Sequence, residues 1–205
     1  MPIAPFLSGF ALSGSLIIAI GAQNAYILKM GLLRHHVFWL CLFCAVSDAA
    51  LILAGIAGLG ALVETHPQML RIVAMVGGLF LLAYAVIAAR RAMNPGALQA
   101  AGEVKPTLKR AILVAAAFTW LNPHVYLDTV ILIGAFSTKY AETARLAFGI
   151  GAALVSLVWF FGLGYGARLL APLFATSRAW QILDALIAIV MAILSWQLLL
   201  VAWHG

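Results

Sequence analysis

Thr119-Trp120-Leu121-Asn122-Pro123-His124-Val125-Tyr126-Leu127-Asp128-Thr129 stands in the middle of an apolar run that extends from residue 111 to residue 136. Such a run is long enough for a membrane-spanning helix, which needs about 20 apolar residues at about 1.5 Å each. Its centre nevertheless holds an asparagine, a proline, a histidine and an aspartate. Pro123 lacks an amide proton, and its ring clashes with the carbonyl of Thr119, so the spacing predicts a helix that kinks or opens here. Backbone groups freed at membrane depth must be satisfied by protein or by a water-filled cavity. His124 and Asp128 are four apart and share a face, so the carboxylate is placed to hold the imidazole.

Outward from this segment the chain repeats the same theme. Five further apolar stretches, near 3–28, 37–62, 69–89, 144–167 and 180–203, are of spanning length. The composition agrees: 65% of residues are hydrophobic and only 9% are charged, where a soluble domain carries roughly a quarter charged residues. So little charge cannot cover a water-facing surface, but it suits a lipid-facing one. The expected fold is an all-α membrane protein of six transmembrane helices in one domain, residues 1–205. The run from Ile3 to Leu28 reads as the first span rather than a cleaved leader, because its first cation, Lys29, follows it. No phosphate-binding GxxxxGK[ST] element occurs, so no ATPase of its own is expected.

The net charge of +6 does not mark a nucleic-acid partner, because the cations sit at the ends of apolar runs. Lys29, Arg34, Arg90, Arg91, Lys105, Lys109, Arg110, Arg168 and Arg178 fall in the first, third and fifth loops. Arg71, Lys139 and Arg145 fall on the other side. That bias predicts cytoplasmic odd loops and both termini periplasmic. The halves, about 1–93 and 110–205 around a cytoplasmic loop at about 94–109, echo each other. Gly21-Ala22-Gln23-Asn24-Ala25-Tyr26 can be laid on Leu121-Asn122-Pro123-His124-Val125-Tyr126, and Val46-Ser47 on Val155-Ser156. Three spans per half would make a 3+3 inverted repeat, with helices 1 and 4 broken at Gly21 and Pro123.

The chain has six acidic residues, and Glu64, Glu103 and Glu142 read as solvated loop charges. Asp48 lies about eleven residues into span 2, roughly 17 Å from its start. A carboxylate there costs about 2.5–3.5 kcal/mol to insert, so it must face the bundle interior or a water-filled path. Gln23 and Asn24 follow the small residues Ser13, Gly14 and Ser15 in an otherwise leucine- and isoleucine-rich span. Asp184, near the start of span 6 and within reach of Arg178, reads as structural. Gly162, Gly164 and Gly166 lack a preceding strand and read as small residues for close helix packing. Cys41 and Cys44 read as two small hydrophobes in a lipid-embedded helix. Trp39, Trp159, Trp180 and Trp203 read as interfacial anchors or packing residues.

Gly21-Ala22-Gln23-Asn24-Ala25, Ser47-Asp48 and the Trp120–Thr129 segment together resemble the LysE-type exporters of basic amino acids. The likeness is nearest to the family's bacterial arginine exporter branch and runs over essentially the whole chain. It implies a secondary exporter of L-arginine or L-lysine in a bacterial inner membrane. The residues that carry the family pattern are Gln23, Asn24, Asp48, Asn122, Pro123, His124, Tyr126 and Asp128. Ala22 departs from it, standing where many relatives have proline, and Asp184 is not part of it.

The mechanism expected is alternating access. The side-chain cation of the substrate pairs with Asp48 or Asp128, and its carboxylate meets Gln23, Asn24 and opened backbone, with Asn122, His124 and Tyr126 completing the binding set. Moving one charge against the membrane potential costs about 2.3 kcal/mol per 100 mV. Exchange for H+ cancels that movement, with Asp48, His124 and Asp128 as the protonation candidates. Neutral amino acid export (threonine, homoserine, leucine) and divalent-metal export through His124 and Asp128 are the alternatives. An intramembrane enzyme is the reading from a different class, and no nucleophile with a base in reach supports it. Neither a cofactor nor a resident metal is expected, and glycine-rich faces on spans 3 and 5 permit a homodimer.

Overall fold

The computed structural model describes residues 2–18, 21–59, 66–93 and 106–204. The described residues form eight helices: α1 Ile3–Ile17, α2 Ala22–Leu32, α3 Val37–Ala54, α4 Pro67–Met93, α5 Leu108–Trp120, α6 Pro123–Ser137, α7 Glu142–Gly166 and α8 Ser177–His204. A wider turn, Gly55–Leu59, extends α3, a tighter one, Ala167–Ala175, extends α7, and α6 itself is wide-wound over Tyr126–Leu132. The loop near 94–109, apart from its last four residues, lies outside the described residues, as do residues 60–62 of the second apolar run.

Four helices, Val37–Leu59, Gln68–Met93, Glu142–Phe174 and Ser177–Trp203, are long and apolar enough to cross a membrane. The bent pair α1 and α2 makes a fifth if counted as one span. The chain is thus a multi-pass, all-helical membrane protein. The fourth apolar run does not form one kinked helix. It is two, because α5 stops at Trp120 and α6 starts afresh at Pro123. Pro123 therefore does not clash within a helix; it occupies the first turn of a new one, where a missing amide proton costs nothing.

The first apolar run is also longer than its composition suggested. Its helix α2 continues through Lys29 to Leu32, so Lys29 is a buried helical residue and not a loop cation. The charge bias falls to eight against three, with its direction unchanged.

Packing follows from where small residues allow backbones to meet. The helices α4 and α8 lie along each other, α1 lies along α7, and α3 packs on both α7 and α5. At the α1–α7 seam the contact is reciprocal: a Cβ on Gly9 would strike the Phe148 carbonyl, and one on Gly151 the Phe6 carbonyl. Of Gly162, Gly164 and Gly166 only Gly164 is tightly packed, against Cys41 and Val37, and Gly31 of α2 lies on its carbonyl. Cys41 and Cys44 are buried and unbridged, and Cys41 Sγ donates to the Phe160 carbonyl at 3.1 Å.

The main core is assembled around α2. Ala25, Tyr26, Ile27, Met30 and Leu32 pack with Leu40, Cys41, Cys44, Phe118, Phe160 and Met191. A smaller cluster, Ile52, Ile133, Phe148 and Ala152, fills the other end of the bundle. Most helices keep a broad lipid-facing stripe, as α4 does with Ile72, Met75, Leu79 and Val86. By contrast α2 has almost none.

Candidate functional site

Two helix starts meet at the middle of the bundle. The first is Ala22 of α2, preceded by extended backbone at Gly21 (φ −101°, ψ 172°). The axes of α1 and α2 diverge by 82°. The second is Pro123 of α6, preceded by extended backbone at Asn122 (φ −106°, ψ 106°). Ala22 and Pro123 hold the same first helical position, so a sharp break at the first site does not require proline. In this register Gly21 matches Asn122, one residue away from the pairing of Gly21 with Leu121 that sequence comparison of the halves suggested.

Each break leaves backbone groups that side chains must satisfy. At the first, Asn24 Nδ2 donates to the Ile17 carbonyl at 2.7 Å, closing the end of α1. Its Oδ1 accepts from Trp159 Nε1 of α7 at 3.2 Å. At the second, Asn122 Oδ1 accepts from the His124 amide at 3.1 Å, capping α6. The Tyr126 hydroxyl donates to the Trp120 carbonyl at 2.7 Å, closing the end of α5. Asn24 and Tyr126 thus do equivalent work on the two breaks. The Asn24 amide and the Tyr126 hydroxyl are both engaged within the protein, on backbone carbonyls and, for Asn24, on the Trp159 indole as well.

Between the breaks lies a cavity of about 310 Å³, lined by Gly21, Gln23, Asn24, Asp48, Asn122, His124 and Asp128, with further side chains from α1 and α8. All the sequence-selected residues are there except Pro123 and Tyr126. Asp48 is buried on α3 and faces Ser156 of α7 and Gln23 of α2. Ser156 Oγ and Gln23 Nε2, both buried, are set toward this carboxylate but complete no bond of strict geometry with a described residue. His124 and Asp128, which interact across one turn of α6, line the same cavity. The two helix N-termini, which line the same cavity, add partial positive charge to it. A cavity with two acids, under-used amide and hydroxyl donors and two helix N-termini can hold a solute that carries both signs of charge.

Sequence reading passed over four contributors. Ser13 and Thr129 line the cavity, as does Gln197 of α8. Gln197 could have been found as a carboxamide inside the last apolar run, by the same signal that found Gln23. Trp159, read as an anchor or packing residue, holds Asn24 instead. Asp184 lies outside the cavity lining and is held in place, but its partner is Lys29 and not Arg178: Lys29 Nζ donates to Asp184 Oδ1 in a buried ion pair.

Several relatives match over most of the chain. Arginine exporter protein ArgO of Serratia proteamaculans is 39% identical over 204 residues, 99% of this chain and 98% of its own length. ArgO of Salmonella typhimurium is 38% identical over 197 residues, 96% of this chain and 93% of its own. The Mycobacterium tuberculosis protein Rv0488, assigned provisionally as an amino-acid transporter, is 44% identical over 177 residues, 86% of this chain and 88% of its own. No solved structure matches the chain. The sequence profile of the LysE type translocators matches residues 14–201, and the chain belongs to that family.

Proposed function

We propose that this protein is a secondary exporter of cationic L-amino acids, L-arginine or L-lysine, acting across the bacterial inner membrane by alternating access. The observation that carries the reading is the pairing of two carboxylates, Asp48 and Asp128, with two half-helix N-termini around one cavity. The α-carboxylate of the substrate lies at the N-termini beside Gln23, and its side-chain cation lies at Asp48 or Asp128. Asn24 and Asn122 hold the breaks in shape. The names of the ArgO relatives favour arginine. Coupling to H+ through Asp48, Asp128 or His124 would offset the roughly 2.3 kcal/mol per charge per 100 mV that export against the potential requires.

The inverted repeat is part of the same proposal, with six spans, cytoplasmic odd loops and both termini outside. Exchanging α1, α2, α3 and α4 with α5, α6, α7 and α8 carries several of the main packing pairs onto one another. The α1–α7 pair becomes α5–α3, α2–α7 becomes α6–α3, and α4–α8 and α3–α7 map onto themselves. The divalent-cation alternative draws less support, since no group of three metal-ligating side chains occurs among the described residues.

The deciding experiment is counterflow of labelled arginine, lysine, threonine and leucine in proteoliposomes, with and without a pH gradient. Arginine or lysine should exchange and the neutral amino acids should not, and an outward proton gradient (acidic lumen) should drive accumulation, as exchange for H+ requires. Equal exchange of leucine would overturn the cationic assignment.

A further inference from the structure

The helix α2 begins at the cavity and then fills the bundle on one side of it. Its residues Ala25, Tyr26, Ile27, Lys29, Met30, Gly31 and Leu32 are all buried. The rings of Tyr26, Tyr84 and Phe118 form a packed layer, with centroids 5.0–6.4 Å apart and Phe80 against Phe118 at 5.2 Å. The Tyr26 hydroxyl donates to the Ala111 carbonyl at the start of α5, at 3.3 Å. One turn beyond Tyr26 the Lys29–Asp184 pair ties α2 to α8. Beyond that, His36 Nε2 reaches the Pro106 carbonyl at 3.1 Å, bringing the turn after α2 onto the segment that enters α5. In the orientation proposed above, this is the cytoplasmic end.

Within that layer the ion pair is chemically out of place. Asp184 is fully buried, and its Oδ2 has no hydrogen-bond partner among the described residues. The surrounding charges, Arg91 acting on Lys29 and Arg110 acting on Tyr26, are both cationic. For holding two helices together, a well-packed apolar pair is at least as good as a buried ion pair. The ion pair differs when the helices separate. Its two charges regain hydration, so opening is nearly free, whereas an exposed apolar pair loses its burial.

We propose that Lys29 and Asp184 form the latch of a cytoplasmic gate, in which α2 closes the path between the cavity and the cytoplasm and the ion pair makes that closure reversible. The proposal rests on the transport reading of the cavity, but its decisive readout is solvent access rather than transport. The gate opens by moving α2 from α8, and Gln23 at the head of α2 then shifts relative to Asp48. Emptying the site and closing the path are thereby coupled through one short helix.

The test compares the intact protein with the Lys29→Met/Asp184→Leu and Lys29→Asp/Asp184→Lys double variants in oriented proteoliposomes. Each carries Ala25→Cys, labelled by a membrane-impermeant methanethiosulfonate from the cytoplasmic face. The same variants without Ala25→Cys report labelling at Cys41 and Cys44, and this background is subtracted. The apolar pair should fold at least as stably, yet label about tenfold more slowly, because opening now exposes apolar surface. Arginine counterflow should fall in parallel. The charge-exchanged pair should recover labelling toward the wild-type rate. Wild-type labelling and counterflow in the apolar variant would overturn the proposal and leave the pair as packing. If the charge-exchanged variant fails to fold, the apolar variant still decides. Absence of arginine counterflow in the wild type would sink the substrate assignment, while the labelling comparison would still judge the gate.

Discussion

Asp48 and Asp184 are both aspartates in the interior of a lipid-embedded bundle, exposed by only 6% and 0%, and yet their surroundings are opposites. Asp184 has a counterion from its own chain, Lys29, and lines no described cavity. Asp48 has none. It faces an amide and a hydroxyl that complete no bond of strict geometry with a described residue, in a cavity that a second carboxylate also lines. Burial alone therefore does not identify a binding carboxylate. What distinguishes the two is whether the protein has already answered the charge. An unanswered charge at membrane depth is costly to keep, and it persists where a ligand supplies the missing partner.

The comparison breaks most visibly if Asp184 is neutralised alone. Asp184→Asn leaves the Lys29 ammonium buried without its partner, and removing one member of a buried pair typically costs about 3–5 kcal/mol. Folded yield and detergent thermal stability, followed by tryptophan fluorescence, should drop steeply. Unchanged stability would mean that Lys29 escapes to water and that the pair does not hold α2 in place. Asp48→Asn should do the reverse. With no protein counterion to orphan, the variant should fold as well as the wild type. Arginine counterflow should fall by about 100-fold, the scale of losing one partner of a close charge pair. A folded Asp48→Asn protein with full counterflow would remove Asp48 from the site.

Sequence and structure divide at a definable place. The apolar runs, the break at Asn122-Pro123 and the inward-facing position of Asp48 were legible, because each depends on local composition: hydropathy, a missing amide proton, a carboxylate in the middle of an apolar run. The partners were not legible. Asp184 sits six residues from Arg178 in sequence but pairs with Lys29, 155 residues away, because α2 turns inward at Gly21 and carries Lys29 into the bundle. The same inward turn removed Lys29 from the loop where its charge had been counted. Asn24 looked like a ligand donor by type, but its amide is taken by the Ile17 carbonyl and by Trp159, a contact across 135 residues that no local pattern encodes.

That reassignment sharpens the comparison at a smaller scale. Asn24→Ala removes the splice at the first break and lets the head of α2 shift against Asp48, while Lys29 and Asp184 stay where they are. Interhelical hydrogen bonds of this kind are worth about 1–2 kcal/mol or less, so stability should fall only by that amount. Counterflow should fall by about tenfold, because Gln23 loses its position. Asn24→Asp tests the alternative. If Asn24 donated to the substrate carboxylate directly, the acidic variant would repel that group and raise KM with the maximal rate unchanged. If it only holds the break, the new carboxylate would lose the donated bond to Ile17, and KM would rise or stay unchanged with a lower maximal rate.

The smallest effect expected is at Ser156, and it isolates the environment of Asp48 from everything else. Ser156 Oγ is buried, completes no bond of strict geometry with a described residue and faces the Asp48 carboxylate. Deleting a buried polar group that has no partner removes a desolvation cost without losing a bond. Ser156→Ala should therefore be neutral or slightly stabilising, within about 0.5 kcal/mol. Its effect on transport should nevertheless be measurable. If the hydroxyl completes its bond only when substrate occupies the cavity, the arginine KM should rise by about threefold, the scale of one net hydrogen bond of about 0.5–1.5 kcal/mol. A stability loss of more than about 1 kcal/mol would show a bond already made in the empty site. Asp48 would then be answered by its own protein, as Asp184 is, and the distinction between the two aspartates would narrow to the identity of their partners.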